Sequence, residues 1–149
     1  MITFRILEYG SCDYHDMVAL RDEILRKPLG LTFSEEYLQQ EINDVLIGAF
    51  YTENEKTTLV GCCILSPTEN QDIVQLRQMA VSSILQGKGI GRDIIIYAEN
   101  IARNDGFKTL MMHARKEAAG FYEKLGYSIA GKEFTEVGIP HYEMQKNLI

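Results

Sequence analysis

Residues 86–92, Gln86-Gly-Lys-Gly-Ile-Gly-Arg92, lie between a predicted strand, Ile73–Val81, and a predicted helix, Ile90–Asn104. Three glycines alternate in this turn, and glycine allows positive φ angles and a close approach of a ligand to the main chain. The amides of such a turn can converge on an anion, and the helix that follows adds N–H groups and the positive end of its dipole. The stretch therefore predicts either a phosphate-binding cradle made of backbone or a tight strand-to-helix connection without a ligand.

Two common glycine loops do not fit this turn. A dinucleotide-binding loop has the spacing Gly-x-Gly-x-x-Gly, whereas the glycines here are Gly87, Gly89 and Gly91. A nucleoside triphosphatase loop ends in Gly-Lys followed by Ser or Thr, but Gly87-Lys88 is followed by Gly89. Without that hydroxyl the sequence offers no obvious magnesium ligand, so we expect no metal and disfavour a metal-dependent nucleotide hydrolase.

The spacing Gln-x-x-Gly-x-Gly, at Gln86, Gly89 and Gly91, resembles the acyl-coenzyme A loop of the GCN5-related N-acetyltransferase (GNAT) family. A second block, Ala118-Ala-Gly-Phe-Tyr-Glu-Lys-Leu-Gly-Tyr127, is similar to the family's helix after the fifth strand, which carries a Phe-Tyr pair. The two blocks stand in the family's order and at about its usual distance. The resemblance covers nearly the whole chain and is strongest over residues 74–127.

This resemblance implies acetyl-coenzyme A (acetyl-CoA) as co-substrate, with its pyrophosphate on the amides of residues 86–91 and its pantetheine arm along the preceding strand. The family also implies that this strand bulges and splays from the fifth. The candidate cofactor-binding residues are Met79, Ala80, Val81, Gln86, Gly87, Lys88, Gly89, Ile90, Gly91, Arg92, Arg115 and Phe121. Arg115 replaces a common Asn of the family, and it would contact a cofactor phosphate or an acceptor carboxylate, or remain a surface charge at a helix start.

Tyr122 is the first candidate catalytic residue. Attack of an amine on the thioester expels coenzyme A as a thiolate, and a phenol at the sulfur can donate a proton as charge develops. In the resembling family the matching Tyr has that role in many members; the alternative is a Tyr packed beside Phe121. His141 is the candidate acceptor of the amine proton, directly or through water, because imidazole titrates near neutral pH; the alternative, and the commoner case, is a structural His bonded to backbone. The rival bases are Glu136, Glu143 and His113.

Composition limits the class of protein. With 149 residues, 46% hydrophobic and 24% charged, residues 1–149 predict one globular domain. The net charge of −6, with no block of like sign, disfavours a nucleic-acid surface. No apolar stretch approaches the ~18 residues that span a bilayer, and the amino terminus lacks a secretory pattern. We therefore expect a cytoplasmic protein with neither nucleic acid nor membrane as partner; a homodimer is compatible with the sequence, and the oligomeric state is open.

Periodicity and turn residues predict seven strands and four helices. The predicted strands are Thr3–Tyr9, Val45–Thr52, Thr57–Leu65, Ile73–Val81, Phe107–Ala114 and two within Tyr127–Ile149, joined near residues 137–140. The predicted helices run from a cap at Asp13 to Arg26, from a cap at Ser34 to Ile42, over Ile90–Asn104 and over Arg115–Leu125. Strand, glycine turn, helix and strand make a right-handed crossover and hence a parallel pair, and the other connections are hairpins.

That mixture predicts an α+β fold with a mixed, mostly antiparallel sheet and helices on both faces. The resemblance implies the acyl-CoA N-acyltransferase (GNAT) fold, with six to seven strands and about four helices. In the family the first two helices and their connection form one wall of the acceptor pocket; the alternative is a solvated helical face. That wall includes here Arg26, Phe33, Glu35, Glu36 and Tyr37.

Three cysteines, two of them adjacent, do not predict a disulfide framework. Cys62 and Cys63 lie on a predicted strand, so their side chains point to opposite faces. Nothing adjacent in sequence would lower a thiol pKa, which favours buried, inert cysteines over an acyl-carrying nucleophile.

The resemblance therefore implies an enzyme, an N-acetyltransferase that moves the acetyl group of acetyl-CoA to a primary amine. The amine attacks directly within a ternary complex, and no covalent acyl-enzyme forms. A small metabolite, an amino sugar and a peptide all stay open as acceptors. The alternatives are a non-catalytic acyl-CoA-binding sensor or interaction domain of the same fold, and an ATP-binding protein that uses the same glycine turn.

Overall fold

The structure, a computed structural model, describes all 149 residues. Eight strands and four α-helices follow one another as β1 (Ile2–Leu7), α1 (Cys12–Arg21), α2 (Glu35–Gln39), β2 (Val45–Glu53), β3 (Lys56–Pro67), β4 (Ile73–Val81), α3 (Ile90–Asn104), β5 (Thr109–Arg115), α4 (Ala119–Lys124), β6 (Ser128–Ile129), β7 (Phe134–Glu136) and β8 (Ile139–Asn147). The α+β class is thereby confirmed. No helix combines the length and the apolar character that a membrane crossing requires.

The chain forms two compact units, which we describe in turn. The first contains residues 1–66 and 78–98, and the second contains residues 67–77 and 99–149. Strand β4 and helix α3 each contribute residues to both units.

The first unit is built on an antiparallel meander of β1, β2 and β3. Strand β1 pairs with β2 from Ile2↔Tyr51 to Leu7↔Leu46, and β2 pairs with β3 in the predicted hairpin. The hairpin turns at Asn54 and Glu55, whose φ angles of 51° and 64° suit a tight two-residue turn. Its core packs α1 against the sheet; the buried members include Met17, Leu20, Leu46, Phe50, Cys62 and Ile64.

Helix α1 differs from its prediction at both ends. Ser11, and not Asp13, caps the helix, because the Ser11 hydroxyl accepts a hydrogen bond from the Tyr14 N–H at 3.2 Å. At the other end the helix widens into a π-helical turn, Asp22–Arg26, and then tightens into a 3₁₀ turn, Lys27–Leu29. Pro28 has no N–H to continue the helical hydrogen bonds, and Gly30, with a φ of 71°, ends the segment. The prediction that Ser34 caps α2 is confirmed by its hydrogen bond from the Tyr37 N–H at 3.1 Å.

Strand β4 contains one residue with unusual backbone angles near its end. In the second unit its first residues pair in parallel with β5, from Ile73↔Thr109 to Leu76↔Met112. Two residues later Gln78 adopts a φ of 56°, which is costly for a residue with a side chain. This irregular residue lies in the strand for which the family resemblance implies a bulge, and neighbouring residues give no sequence signal for it.

The second unit is an antiparallel arrangement around β8. Strand β5 pairs with β8 from Thr109↔Asn147 to Arg115↔His141, and β6 and β7 both pair with β8. A buried carboxylate links side chains within this unit: Glu99 accepts hydrogen bonds from the Tyr127 hydroxyl at 2.7 Å and from Lys146 Nζ at 3.1 and 3.2 Å. Lys146 Nζ also donates to the Leu125 carbonyl at 2.8 Å, so the end of α4 is fixed as well.

Two predictions for this unit are wrong. Arg115 does not begin a helix: pairing with His141 extends β5 through Arg115, a 3₁₀ turn follows over Lys116–Ala118, and α4 begins at Ala119. The tail forms three strands and not two, because the two-residue strand β6, which precedes β7 in the chain, also pairs with β8. The turn between β7 and β8 consists of Val137 and Gly138, with φ angles of 47° and 76°.

Candidate active site

The glycine turn follows β4 through a 3₁₀ turn, Ser83–Leu85, and leads directly into α3. Gly87 and Gly89 have φ angles of 80° and 82°, and a side chain built on either would meet no atom within 4 Å. The first α-helical hydrogen bond runs from the Asp93 N–H to the Gly89 carbonyl at 3.1 Å. The N–H groups of residues 90–92 thus have no acceptor within the helix. The turn therefore combines open space beside Gly87 and Gly89 with free N–H groups at the positive end of a 15-residue helix.

Side chains around the turn support its backbone. Ile90 is buried in the core and anchors the first residue of α3. Gln86 Nε2 donates a hydrogen bond to the Val81 carbonyl at 3.1 Å and so closes the 3₁₀ turn. Lys88 and Arg92 are exposed, and Arg92 lies 3.7 Å from the neighbouring Asp93 carboxylate. Gln86 therefore shapes the turn with its side chain, while Ile90 can present only its main chain to a ligand.

The end of β4 offers a second stretch of backbone. Ala80 is buried, and Met79 and Val81 are half-buried. The Ser82 N–H donates to the Val60 carbonyl at 2.8 Å, which ties the end of β4 to β3. Ala80 thus has its side chain in the core, and any contact it makes with a ligand runs through its main chain.

Gly61 is a positioning residue that sequence analysis missed. A side-chain carbon placed there would lie 2.6 Å from the Ile94 Cδ1 atom and 3.4 Å from the Ala80 carbonyl oxygen. Glycine at this position lets β3 approach the helix after the glycine turn and the end of β4 without displacing the Ile94 side chain. A glycine inside a predicted strand was the signal that could have found it.

Tyr122 lies in the second unit on α4, with only 7% of its surface exposed. Its ring packs edge-on against Phe121, at a centroid distance of 5.0 Å, and against Tyr127, at 6.0 Å. Phe121 next to it is 41% exposed. In the Phe-Tyr pair of the sequence motif, Tyr122 is therefore buried and Phe121 is exposed.

Three of the four candidate bases meet in the second unit. His141 is buried, and its Nδ1 atom donates to the Ile139 carbonyl at 2.8 Å, which leaves Nε2 as the accepting nitrogen when the ring is neutral. His141 Nε2 lies 3.7 Å from Glu136 Oε2, and His113 Nδ1 lies 3.0 Å from Glu136 Oε1. The ring of Phe134 packs on both imidazoles, at 5.1 and 5.8 Å. Glu143 stands opposite His113 in the β5–β8 register.

Arg115 is half-buried at the end of β5, opposite His141 in the register. The next residue, Lys116, is exposed and pairs with Glu133 at 2.9 Å, and this contact raises the pKa of Lys116 and lowers the pKa of Glu133. Arg115 therefore belongs to the same strand pair as His141, which corrects its predicted place at the start of a helix.

A buried ion pair in the first unit also escaped sequence analysis. Arg21 and Glu41, both nearly inaccessible, form two hydrogen bonds of 2.8 and 2.7 Å, and the Tyr14 hydroxyl donates to Glu41 at 2.8 Å. Burial and the adjacent Glu41 carboxylate raise the pKa of Tyr14. Residues 20 positions apart give no local signal of such a pair. Of the predicted acceptor wall, Phe33 lies against this pair, with the Arg21 guanidinium 4.5 Å from its ring centre.

Both strand cysteines are buried thiols, as predicted. Burial raises the pKa of Cys62 to about 12 and raises the pKa of Cys63 well above its usual range. A neutral, inaccessible thiol is a poor nucleophile. Cys12, in contrast, is exposed at the start of α1.

Comparison with known proteins places this geometry in a family. The model of the acetyltransferase (GNAT) domain matches residues 21–148. The uncharacterised protein YyaT of Bacillus subtilis (strain 168) is 28% identical over 143 residues, covering 93% of this chain and 91% of that protein. Among solved structures, Escherichia coli ElaA superposes with a TM-score of 0.79 at 18% identity, over 99% of this chain and 100% of that one.

A second solved structure, the PaiA N-acetyltransferase of Thermoplasma acidophilum in complex with coenzyme A, superposes with a TM-score of 0.72 at 18% identity, over 99% of both chains. At these identities the superpositions establish the fold, and the domain match establishes the family. The chain belongs to the GNAT acetyltransferase family and has its acyl-CoA N-acyltransferase fold.

Proposed function

We propose that this protein is an acetyl-CoA-dependent N-acetyltransferase that acetylates a primary amine by direct attack in a ternary complex. The observation that carries the proposal is the glycine turn, in which Gly87 and Gly89 have positive φ angles with open space beside them, and the N–H groups of residues 90–92 have no acceptor within α3. A pyrophosphate fits such a cradle, because it needs several donors and no bulky side chain.

Two stretches of the first unit would hold the co-substrate. The amides of residues 86–91 would bind the pyrophosphate, and the exposed Lys88 and Arg92 add positive charge nearby. The main chain of Met79, Ala80 and Val81 would bind the pantetheine arm and polarise the thioester carbonyl. Arg115 and Phe121 remain candidate contacts. Acetyl-CoA supplies the acetyl group as an activated thioester.

Tyr122 would act as the acid. Its hydroxyl donates a proton, or a hydrogen bond, to the departing sulfur. The burial of Tyr122 supports this role, because a donor shielded from water acts more strongly on developing charge.

His141 would accept the proton of the attacking amine at Nε2, directly or through water. The hydrogen bond from Nδ1 to the Ile139 carbonyl fixes the tautomer and orients the ring. Glu136 lies next to Nε2 and would stabilise the imidazolium that forms. His113 is hydrogen-bonded to the other oxygen of Glu136, so the Glu136 carboxylate lies between the two imidazoles.

The test is an assay for free thiol released from acetyl-CoA in the presence of a panel of primary amines. Amine-dependent release by the wild-type protein is the expected result. Acetyl-CoA binding without amine-dependent release would contradict the proposal and favour a sensor, and tighter binding of ATP than of acetyl-CoA would favour a nucleotide-binding protein.

A further inference from the structure

Arg26 ends the π-helical turn after α1, and its guanidinium is held on two aromatic rings. Its Cζ atom lies 4.5 Å from the ring centre of Phe33 and 5.5 Å from that of Tyr37. The two rings also pack on each other, with centres 5.8 Å apart. Stacking on ring faces fixes a guanidinium, while its N–H groups point outward in its own plane and stay available for an anion.

The same Phe33 ring contacts two arginines that differ in how their charge is matched. Arg21 is paired with Glu41 through two hydrogen bonds. Arg26, which is half-buried, has no carboxylate within 4.0 Å, and Asp22, one helical turn earlier, pairs with Lys27 Nζ at 3.9 Å. In a protein of net charge −6, a fixed arginine without a carboxylate indicates an anion supplied by a ligand.

The surroundings of Arg26 connect it to the end of β4. Tyr37, which contacts Arg26 through its ring, accepts a hydrogen bond at its hydroxyl from Gln78 Nε2 at 2.8 Å. Gln78 has a φ of 56° and directly precedes Met79–Val81, the stretch to which we assign the thioester. A chain of three contacting side chains therefore runs from Arg26 to Gln78, the residue before the stretch to which we assign the thioester.

We propose that the amine acceptor carries a carboxylate, as amino acids and peptides do, and that Arg26 binds this group beside the contact chain formed with Tyr37 and Gln78. The inference rests on the proposed function and narrows its acceptor. A guanidinium presents paired N–H donors that match both oxygens of a carboxylate. Amino sugars and polyamines without an acid group lack that partner.

The test uses the thiol-release assay with the twenty common amino acids, each paired with its amide, and with dipeptides and their amides. We expect the wild-type protein to prefer the acid member of its best pair by on the order of 10- to 100-fold in kcat/KM, since charged hydrogen bonds contribute this range. Arg26→Gln brings that ratio close to one, and Arg26→Lys gives an intermediate ratio because it keeps the charge and loses the paired donors.

Lys27→Gln is the matched control, because it removes an adjacent exposed cation and leaves the preference intact. Acetyl-CoA affinity and the thermal midpoint, measured for each variant, show that Arg26→Gln is folded and still binds co-substrate. Equal use of acid and amide by the wild type, or an unchanged preference in Arg26→Gln, overturns the inference.

Transfer only to amines without a carboxylate also overturns this inference. Absence of acetyl-CoA binding, or binding with no transfer to any amine, is a different result, since it contradicts the proposed function itself.

Discussion

Two regions of the first unit are both built from polar groups and differ in how those groups are satisfied. In the buried cluster of Tyr14, Arg21 and Glu41, both oxygens of the Glu41 carboxylate accept hydrogen bonds from the protein. In the glycine turn, the N–H groups of residues 90–92 have no acceptor within α3, and Gly87 and Gly89 have open space beside them. Polar groups paired within the chain hold the fold together, whereas free N–H groups at a helix start are available to an anion.

The largest effect on stability is expected in the buried cluster of Tyr14, Arg21 and Glu41. Glu41→Ala leaves the Arg21 charge buried without its carboxylate, which should lower the free energy of unfolding by about 3–5 kcal/mol. Urea denaturation measures this loss in the free energy of unfolding. Glu36→Ala, an exposed site on α2, is the control and should change stability by less than about 0.5 kcal/mol. A Glu41→Ala protein within 1 kcal/mol of wild type would show that the cluster is not the stabilising feature that its geometry indicates.

Two buried tyrosines sharpen the comparison, because their hydroxyl groups are assigned to opposite roles. Tyr122→Phe should lower kcat by about 10²-fold or more with little change in stability, as expected for a lost general acid. Tyr14→Phe should instead lower stability by about 1–3 kcal/mol, because Glu41 loses a buried donor. Steady-state kinetics measure kcat, and urea denaturation measures the free energy of unfolding, for both variants. An unchanged kcat in Tyr122→Phe would remove Tyr122 from the mechanism.

Alkaline pH should lower the stability of the folded protein, because its two buried thiols keep their protons to a higher pH than they do in the unfolded chain. Burial raises the pKa of Cys62 to about 12 and raises that of Cys63 well above its usual range, whereas unfolded thiols titrate near 9. Between these values the unfolded chain loses protons that the folded chain keeps, so stability falls as pH rises, by up to about 1.4 kcal/mol per pH unit for each thiol. Urea midpoints from pH 7.5 to 10.5 test this. A double Cys62→Ala, Cys63→Ala variant should show a shallower decline, and a flat wild-type profile above pH 9 would be inconsistent with buried thiols.

The smallest effect is expected at Gln86, whose side chain supports the glycine turn. Gln86→Ala removes the hydrogen bond to the Val81 carbonyl and should weaken acetyl-CoA binding by about two- to tenfold, the range of one exposed hydrogen bond. Gln40→Ala, an exposed glutamine at the end of α2, is the matched control and should bind as wild type does. An affinity equal to wild type in Gln86→Ala would mean that the turn keeps its shape without this side chain.

The features that sequence predicted well have local causes. The bounds of α3 agree at both Ile90 and Asn104, since the glycine turn precedes the helix and Gly106, with a φ of 91°, follows it. The positive φ angles of Gly87 and Gly89 and the β2–β3 hairpin follow from turn chemistry in the same way.

The features that sequence missed depend on residues far apart in the chain. Arg21 and Glu41 meet only because α1 and the segment after α2 fold together, and no local pattern marks them. Gln78 adopts a positive φ that its residue type disfavours. Arg115 was assigned to a helix because its pairing with His141 in β8 was not visible from neighbouring residues. Candidate catalytic residues could thus be named from motifs, whereas their hydrogen-bond partners could not.

The most direct test of the central claim is calorimetric titration of acetyl-CoA into the wild-type protein, Gly89→Glu and Gly131→Glu. Both glycines have positive φ, 82° and 86°, and open space around them, so the two variants carry the same strain and the same added carboxylate. We predict micromolar binding to wild type and to Gly131→Glu, and binding weakened by about 100-fold or more in Gly89→Glu, where bulk and charge would fill the cradle. Equal binding by all three proteins, or no binding by wild type, would contradict the assignment of the glycine turn as the acetyl-CoA cradle.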